Sequence, residues 1–332
     1  MYLRQAGLTR NPTFSYLYCV RCRGQGVASE APLERKYSRY AQAWRTNSPL
    51  NNRDMKIIFG LILVSLLWTS CETGTKTFEY GSNNGRQLVI NGKKIYYEEY
   101  GQGTVLLLLS GGGLSRSIKD FEKCIPDLSK NYRVIAPDTP GQGRSEQADT
   151  LTYEILLEFT SRLIDSLKID SAYVMGWSDG GITGIQLAEK RPDKIKKLIA
   201  VGANNGLRRA FPPSIPIDSV HPMTLDYFEK NNKELIEQYE NLLPKKDWKK
   251  FMNDANAMVY QKESYFPDKI YGRINIPVMI VLGDRDDIII EHGLEMHRLI
   301  RNSQYCVLPN TTHEVFAERP DLINKIAIDF FK

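Results

Sequence analysis

A serine hydroxyl attacks a carbonyl only when a base lies within reach and a third group orients that base. The stretch Gly176-Trp177-Ser178-Asp179-Gly180-Gly181 has the form G-x-S-x-G, and it follows the apolar run Ala172-Tyr173-Val174-Met175. It opens GGITGIQLAEK, which reads as a helix. A serine on a sharp strand-to-helix turn presents its hydroxyl, and the flanking glycines remove side chains that would collide across the bend. The plain alternative is a glycine-rich β-α turn without chemistry. The strand before and the helix after favour a nucleophile elbow, with Ser178 as the nucleophile. Asp179 beside it has a modest role of its own, because a carboxylate in a first helical turn is stabilised by about 0.3–1 kcal/mol.

Four histidines compete for the base: His221, His292, His297 and His313. His292 and His297 fall on one predicted helix, where a spacing of five turns them to different faces, and both are expected on the solvent side. His221 falls in a long connection. His313, in LPNTTHEVF, follows the last predicted strand and so lies in a loop at the same sheet edge as the elbow. The orienting acid is expected between the serine and the histidine in chain order. VLGDRDD supplies Asp284, Asp286 and Asp287, and spacing alone does not choose among them. The earlier strand ends in Ala203-Asn204-Asn205, which has no carboxylate.

These residues need a scaffold that brings strand ends together. RQLVINGKKIYYEEYG has two β-prone runs around Asn91-Gly92, a hairpin signal. Continuous apolar runs at 104–110, 132–138, 172–177, 196–203, 277–283 and 304–309 read as strands buried on both faces. Ile155, Leu156, Phe159, Leu163, Ile164 and Leu167 form one face of a helix over 152–168, capped by Thr152. A hairpin followed by β-α repeats predicts an α/β domain with a mainly parallel sheet, over 86–332. The connection at about 206–275 has no convincing strand but two amphipathic stretches, 224–243 and 245–260, and is expected to form a helical cap.

With 42% hydrophobic and 25% charged residues, the chain has the composition of an ordinary globular protein. Its formal charge of +5 sits at the start: residues 1–54 hold nine basic against three acidic residues, which leaves 55–332 at −1. A nucleic-acid partner is therefore not expected. Residues 1–54 lack hydrophobic periodicity and read as an upstream extension or disordered segment. Their lone Cys19-x-x-Cys22 has no second pair to complete a zinc site, and no metal or cofactor is expected.

Residues 55–71, MKIIFGLILVSLLWTSC, carry a charged start, a short apolar core and small residues before Cys71, the pattern of a secretory signal. The apolar run, Ile57 to Trp68, is shorter than the roughly 20 residues of a membrane span. Thr69-Ser70-Cys71 is similar to the lipobox of bacterial lipoproteins, although Trp68 replaces the usual leucine. The expectation is a start at Met55, a lipid on Cys71, a linker at 72–85 and a membrane-anchored protein of the bacterial envelope. An Arg-rich organellar transit peptide and a single short membrane anchor are the competing readings. With Cys71 lipidated, Cys124 and Cys306 remain in the body, and both are expected free and buried.

From about residue 86 the chain resembles the α/β-hydrolase superfamily, and within it the valacyclovir hydrolase (biphenyl hydrolase-like) group. The likeness lies in GWSDGGITGIQLAEKRPDKIKKLIAVGAN, DTPGQGRS (138–145), GDRDD and TTHEVFAERP. The resemblance implies Asp286 as the acid, fourth from Gly283, and His313 as the base. It also implies an oxyanion hole from the backbone N–H groups of Gly112 and Asp179. Ser110-Gly111-Gly112-Gly113 stands where the family has a His-Gly-Gly-like segment. Asp179 is implied as a substrate ligand, pairing with the α-ammonium of an amino-acid ester. The expected activity is hydrolysis of a small carboxylic ester or amide through an acyl-enzyme. An epoxide hydrolase or haloalkane dehalogenase needs a carboxylate where Ser178 stands. A C–C bond hydrolase or cofactor-free haloperoxidase keeps the same three residues and is the alternative. The non-enzyme alternative is a lipid-anchored ligand-binding protein on a hydrolase scaffold.

Overall fold

A computed structural model describes residues 80–81, 85–216, 220–243, 245–261 and 263–332. Cys19, Cys22, the signal-like segment 55–71 with Cys71, and most of the 72–85 linker lie outside the described residues. Eight strands form one sheet: β1 (Arg86–Ile90), β2 (Lys93–Tyr100), β3 (Val105–Leu109), β4 (Arg133–Pro137), β5 (Ala172–Trp177), β6 (Ile195–Val201), β7 (Val278–Gly283) and β8 (Ser303–Leu308). Their order is β1-β2-β4-β3-β5-β6-β7-β8. The β1–β2 hairpin turns at Asn91-Gly92, β2 pairs antiparallel with β4, and the pairings from β4 through β8 are parallel. This is the mainly parallel α/β architecture, with its N-terminal hairpin, that the strand runs predict.

The parallel strands are apolar because both faces are covered. Along β3, Leu107 and Leu109 pack into one core and Leu106 and Leu108 into the other. The first core lies under α1 (Tyr153–Ser166) and α2 (Asp179–Lys190). Thr152 caps α1 by accepting a hydrogen bond from Ile155 N, and Leu156, Phe159, Leu163 and Ile164 bury the predicted face. The last strand departs from expectation. β8 is half-buried or exposed up to its buried last residue, Leu308, because it pairs only with β7, at the sheet edge. Cys306 on β8 is accordingly half-buried, while Cys124 is buried as expected.

The connection after β6 carries α3 (Leu225–Asn231), α4 (Lys233–Leu242) and α5 (Trp248–Val259). The 224–243 stretch is two helices because Asn232 leaves helical geometry (φ −133°, ψ 36°) and bonds its side chain back to Phe228 O. Asp247 starts α5 by accepting from Lys250 N. Phe228 stacks on Trp248 at 5.7 Å, and Tyr239 and Lys246 both donate to Gly141 O, which fastens these helices to the loop after β4.

One residue ties both ends of this insertion to the sheet. Asn205, just beyond β6, donates from its side-chain amide to Phe266 O and accepts from Phe266 N. Its own N–H donates to Nε2 of His292, on α6 (Ile290–Leu299). This overturns the solvent-side reading of His292, which is 2% exposed. Its face of α6 packs on the root of the insertion, and the imidazole supplies an acceptor that a backbone amide needs. His297 is half-buried, with Nδ1 2.8 Å from Ser303 Oγ.

Since Asn205 N can only donate, His292 Nε2 carries no proton, and Nδ1 donates to Glu295. Burial holds the His292 pKa below its ordinary 6.5. As pH falls through that ordinary value the unfolded chain takes up the proton first, so stability is lost in that direction. His292→Gln keeps an acceptor in place without the titration. Urea unfolding near pH 7 and near pH 5 is expected to show the wild type losing more stability than this variant. Equal losses would refute the assignment.

Candidate active site

The parallel register sets the C-terminal strand ends side by side: Leu109 beside Gly176, Trp177 beside Val201, Val201 beside Val281, and Gly283 beside Leu308. The loops after β3, β5, β6, β7 and β8 therefore share one edge of the sheet, where ligands bind in open α/β sheets.

Ser178 is the single residue between β5 and α2, at φ 51° and ψ −117°. That region is sparsely populated for a residue with a Cβ and costs of order 1–3 kcal/mol. The conformation is held at both ends. Ser178 N donates to Val201 O at 2.8 Å, and Ile182 N donates to Ser178 O at 2.9 Å. A Cβ on Gly176 would lie 2.2 Å from Gly180 O, and one on Gly180 would lie 2.2 Å from Leu109 O. Gly176 is thus required by backbone contact across the turn, and Gly180 by the backbone at the end of β3.

His313 arrives from β8 through a loop pinned to the end of β7. Asp284 accepts from Thr311 N, and Arg285 N donates to Thr311 O, both at 2.9 Å. Asp286 Oδ1 lies 2.7 Å from His313 Nδ1, and its fully buried side chain also accepts from Ile288 N. Of the three candidate aspartates, Asp286 meets the imidazole, Asp284 holds the loop, and Asp287 stands close by with its pKa raised by burial. The His313 ring is buried over Gly202, where a Cβ would come within 2.7 Å of Cε1. Trp177 Nε1 donates to His313 O at 2.9 Å, and the two rings lie 5.7 Å apart. These contacts bring the histidine to the elbow. Its Nε2 has no hydrogen-bond partner among the described residues. Burial works against the imidazolium, but the nearby carboxylates, Asp286 foremost, raise the His313 pKa overall.

The Ser110–Gly113 loop follows β3 and lies against the elbow, where a Cβ on Gly111 would be 3.3 Å from Ser178 Cβ. Gln142 shapes it, donating from Nε2 to Gly111 O at 2.9 Å and to Gly113 O at 3.0 Å. Ser110 is buried, with Oγ 3.3 Å from Thr139 Oγ1, so it packs this loop as its replacement of a histidine suggests. Asp138 secures the other side by accepting from Ile118 N and Arg144 N, and burial pushes its pKa up to about 6. Gln142 carries no sequence signal for this role, because its targets are backbone carbonyls some thirty residues away.

A cavity of about 590 Å³, open mouth included, runs from the Gly111–Gly113 loop and Asp179 between α1 and α5. Leu151, Leu156, Phe159, Leu163, Phe251 and Met258 make it largely apolar. Asp179, 7% exposed, lines it and accepts from Tyr153 OH at 2.8 Å. Tyr153 packs against Tyr265 with ring centroids 4.4 Å apart. Neither tyrosine stands out in the sequence, where Tyr153 reads as one more buried position of α1. Among the described residues no group of three His, Cys, Asp or Glu could hold a metal ion.

Comparison with known proteins matches this arrangement. Residues 104–232 fit the family described as the alpha/beta hydrolase fold. The chain is 26% identical over 269 residues to the uncharacterized hydrolase YugF of Bacillus subtilis, covering 74% of this chain and 97% of that protein. It is 25% identical to human serine hydrolase BPHL, over 74% of this chain and 86% of that one. It is also 25% identical to the 2-hydroxy-6-oxo-6-phenylhexa-2,4-dienoate hydrolase of Comamonas testosteroni, over 72% and 91%. Among solved structures, a meta-cleavage product hydrolase, CumD, superposes with a TM-score of 0.60 at 22% identity, over 74% of this chain and 97% of its own. The strand order, the loops gathered at one sheet edge and these matches agree on a hydrolase of the α/β-hydrolase fold.

Proposed function

We propose that the chain hydrolyses a small carboxylic ester through an acyl-enzyme, with Ser178 as nucleophile, His313 as base and Asp286 as the group that orients the base. The observation that carries this reading is Ser178 held at φ 51° between strand and helix, a strained conformation with no purpose in a plain β-α turn. His313 Nε2 takes the Ser178 proton as Oγ attacks the carbonyl carbon. Asp286 keeps the other ring proton on Nδ1 and stabilises the imidazolium. The N–H groups of Gly112 and Asp179 receive the oxyanion, each such donor being worth about 3 kcal/mol. His313 then protonates the leaving group, and water, activated by the same nitrogen, releases the acid. Nucleophile–base hydrogen bonds are often long in empty sites and close up with substrate.

Asp179 decides the substrate class. Asp179 lines a largely apolar cavity, and an α-ammonium two bonds from the attacked carbonyl carbon would reach its carboxylate. Tyr153 fixes the carboxylate by donating to one oxygen. The preferred substrate is thus an ester of an α-amino acid with an apolar group. The competing reading, C–C bond hydrolysis, is suggested by the dienoate hydrolase relatives. A dienoate is an anion, and the cavity lining has Asp138 and Asp179 but no lysine, arginine or histidine. We also infer that residues 55–71 export the chain and that Cys71 anchors it by a lipid.

Ser178→Ala and His313→Ala are each expected to lower ester turnover roughly 10⁴-fold or more, and Asp286→Asn somewhat less. A fluorophosphonate should label Ser178 in the wild type. Undiminished turnover by Ser178→Ala would end the acyl-enzyme reading, and a crippling Asp284→Asn or Asp287→Asn beside an active Asp286→Asn would move the acid. For Asp179, the comparison is kcat/KM on an α-amino-acid ester and on its des-amino analogue. The wild type should favour the aminated ester by about ten- to a hundred-fold, and Asp179→Asn should lose that preference while still cleaving the analogue. Equal rates in the wild type would leave Asp179 only its N–H. In the native host, Cys71→Ser should move the protein out of the membrane fraction, and an unchanged distribution would refute anchoring there.

A further inference from the structure

On the side of the elbow occupied by Trp177, one cation touches the segments that carry the proposed nucleophile, the proposed base and the glycine loop. Arg116 lies three residues beyond the Gly111–Gly113 loop and donates its N–H to Gly113 O at 3.2 Å. Its guanidinium lies 4.3 Å from the centroid of the Trp177 ring, next to Ser178 in the chain. It grips Glu314, next to His313, with both terminal nitrogens: NH2 to Oε1 at 2.5 Å and NH1 to Oε2 at 3.2 Å. The Trp177 indole in turn donates to His313 O. Arg116 is 7% exposed, and its Nε is buried without a hydrogen-bond partner among the described residues. An arginine kept so deeply buried with one donor unsatisfied is a costly way to stabilise a loop, whereas a planar fork suits fixed geometry between separate segments.

Taking Ser178 and His313 as nucleophile and base, as proposed above, we propose that Arg116 and Glu314 are positioning residues that hold the His313 loop in register with the elbow and the oxyanion loop. Neither lines the 590 Å³ cavity, so they act on the geometry of the chemical step and not on binding. They also set the field at the imidazole. His313 faces Asp286 and Asp287 from the loop after β7 and Glu314 from its own loop, and all three carboxylates favour its charged form. Arg116 offsets Glu314. Asp120, 3.5 Å from Arg116, is a second carboxylate beside the guanidinium, and burial pushes its pKa up to about 7.

The test is the pH profile of kcat and kcat/KM for Arg116→Met, Arg116→Lys and Glu314→Gln on one ester. The acid limb of kcat/KM reports the free-enzyme histidine. Glu314→Gln removes a carboxylate beside the imidazole and should move that limb to lower pH by about half a unit, whereas Arg116→Met leaves Glu314 uncompensated and should move it up by about as much. In both, kcat should fall about ten- to a hundred-fold, as misplacement of a catalytic group does, with KM within about twofold of wild type. Arg116→Lys should restore the limb through its charge, but not the full kcat, because it lacks the fork. If Arg116→Met does not fold, the nearly isosteric Glu314→Gln still reads both quantities. Limbs that stay put in the folded variants, or a loss carried by KM, would overturn the clamp. Persisting activity in Ser178→Ala would instead overturn the nucleophile, so the two failures are told apart.

Discussion

The site depends on one backbone constraint, a serine held where a residue with a side chain does not settle by itself. The turn at Ser178 is sharp enough that β5 and α2 nearly touch at Gly176 and Gly180, and Gly180 also presses against Leu109 at the end of β3. Those contacts, with the hydrogen bond from Ser178 N to Val201 O, fix the elbow to three neighbouring strands at once. The buried strand cores supply the rigidity. Four consecutive leucines in β3, divided between two cores, cannot slip without moving apolar side chains into polar surroundings. The strain is local, and the packing that resists its release is spread across the domain.

Around that fixed point the remaining groups are positioned by backbone hydrogen bonds more than by one another. Asp286 accepts from Ile288 N as well as meeting His313, Asp284 holds Thr311, and Gln142 spans two carbonyls of the glycine loop. Each polar side chain at this edge orders a piece of loop that would otherwise be free to move. The imidazole is balanced between burial, which disfavours its charge, and the carboxylates that favour it. That balance suits the proposed base, whose role is to accept and return a proton.

Much of this was legible in the sequence. The six apolar runs after the hairpin and the Asn-Gly turn gave the sheet, because strands covered on both faces need continuous apolar residues. The serine and histidine were readable from their places at strand ends. Asp286 was not, since three aspartates in four residues satisfy the same spacing, and only the family resemblance singled it out. The edge position of β8 was hidden because its composition resembles that of an interior strand. His292 was misread because helical spacing tells which residues share a face but not that an insertion root packs on that face. Gln142, Tyr153 and Arg116 escaped for one shared reason: their partners are distant in sequence and are often main-chain atoms, which have no residue type.

The attachment of the helical insertion has a consequence for how such a protein changes over time. Asn205 clasps Phe266 through both of its amide atoms, so the helical segment between them begins and ends at nearly one point, before the chain runs back to the start of β7. A segment joined in this way is topologically a pendant. Its length and helices can be rewritten without shifting any strand, while Phe251 and Met258 still furnish one wall of the cavity. One wall of the cavity is thereby separately heritable: it is encoded in a replaceable pendant, while Asp179 and the proposed reacting groups sit at strand ends that tolerate little revision.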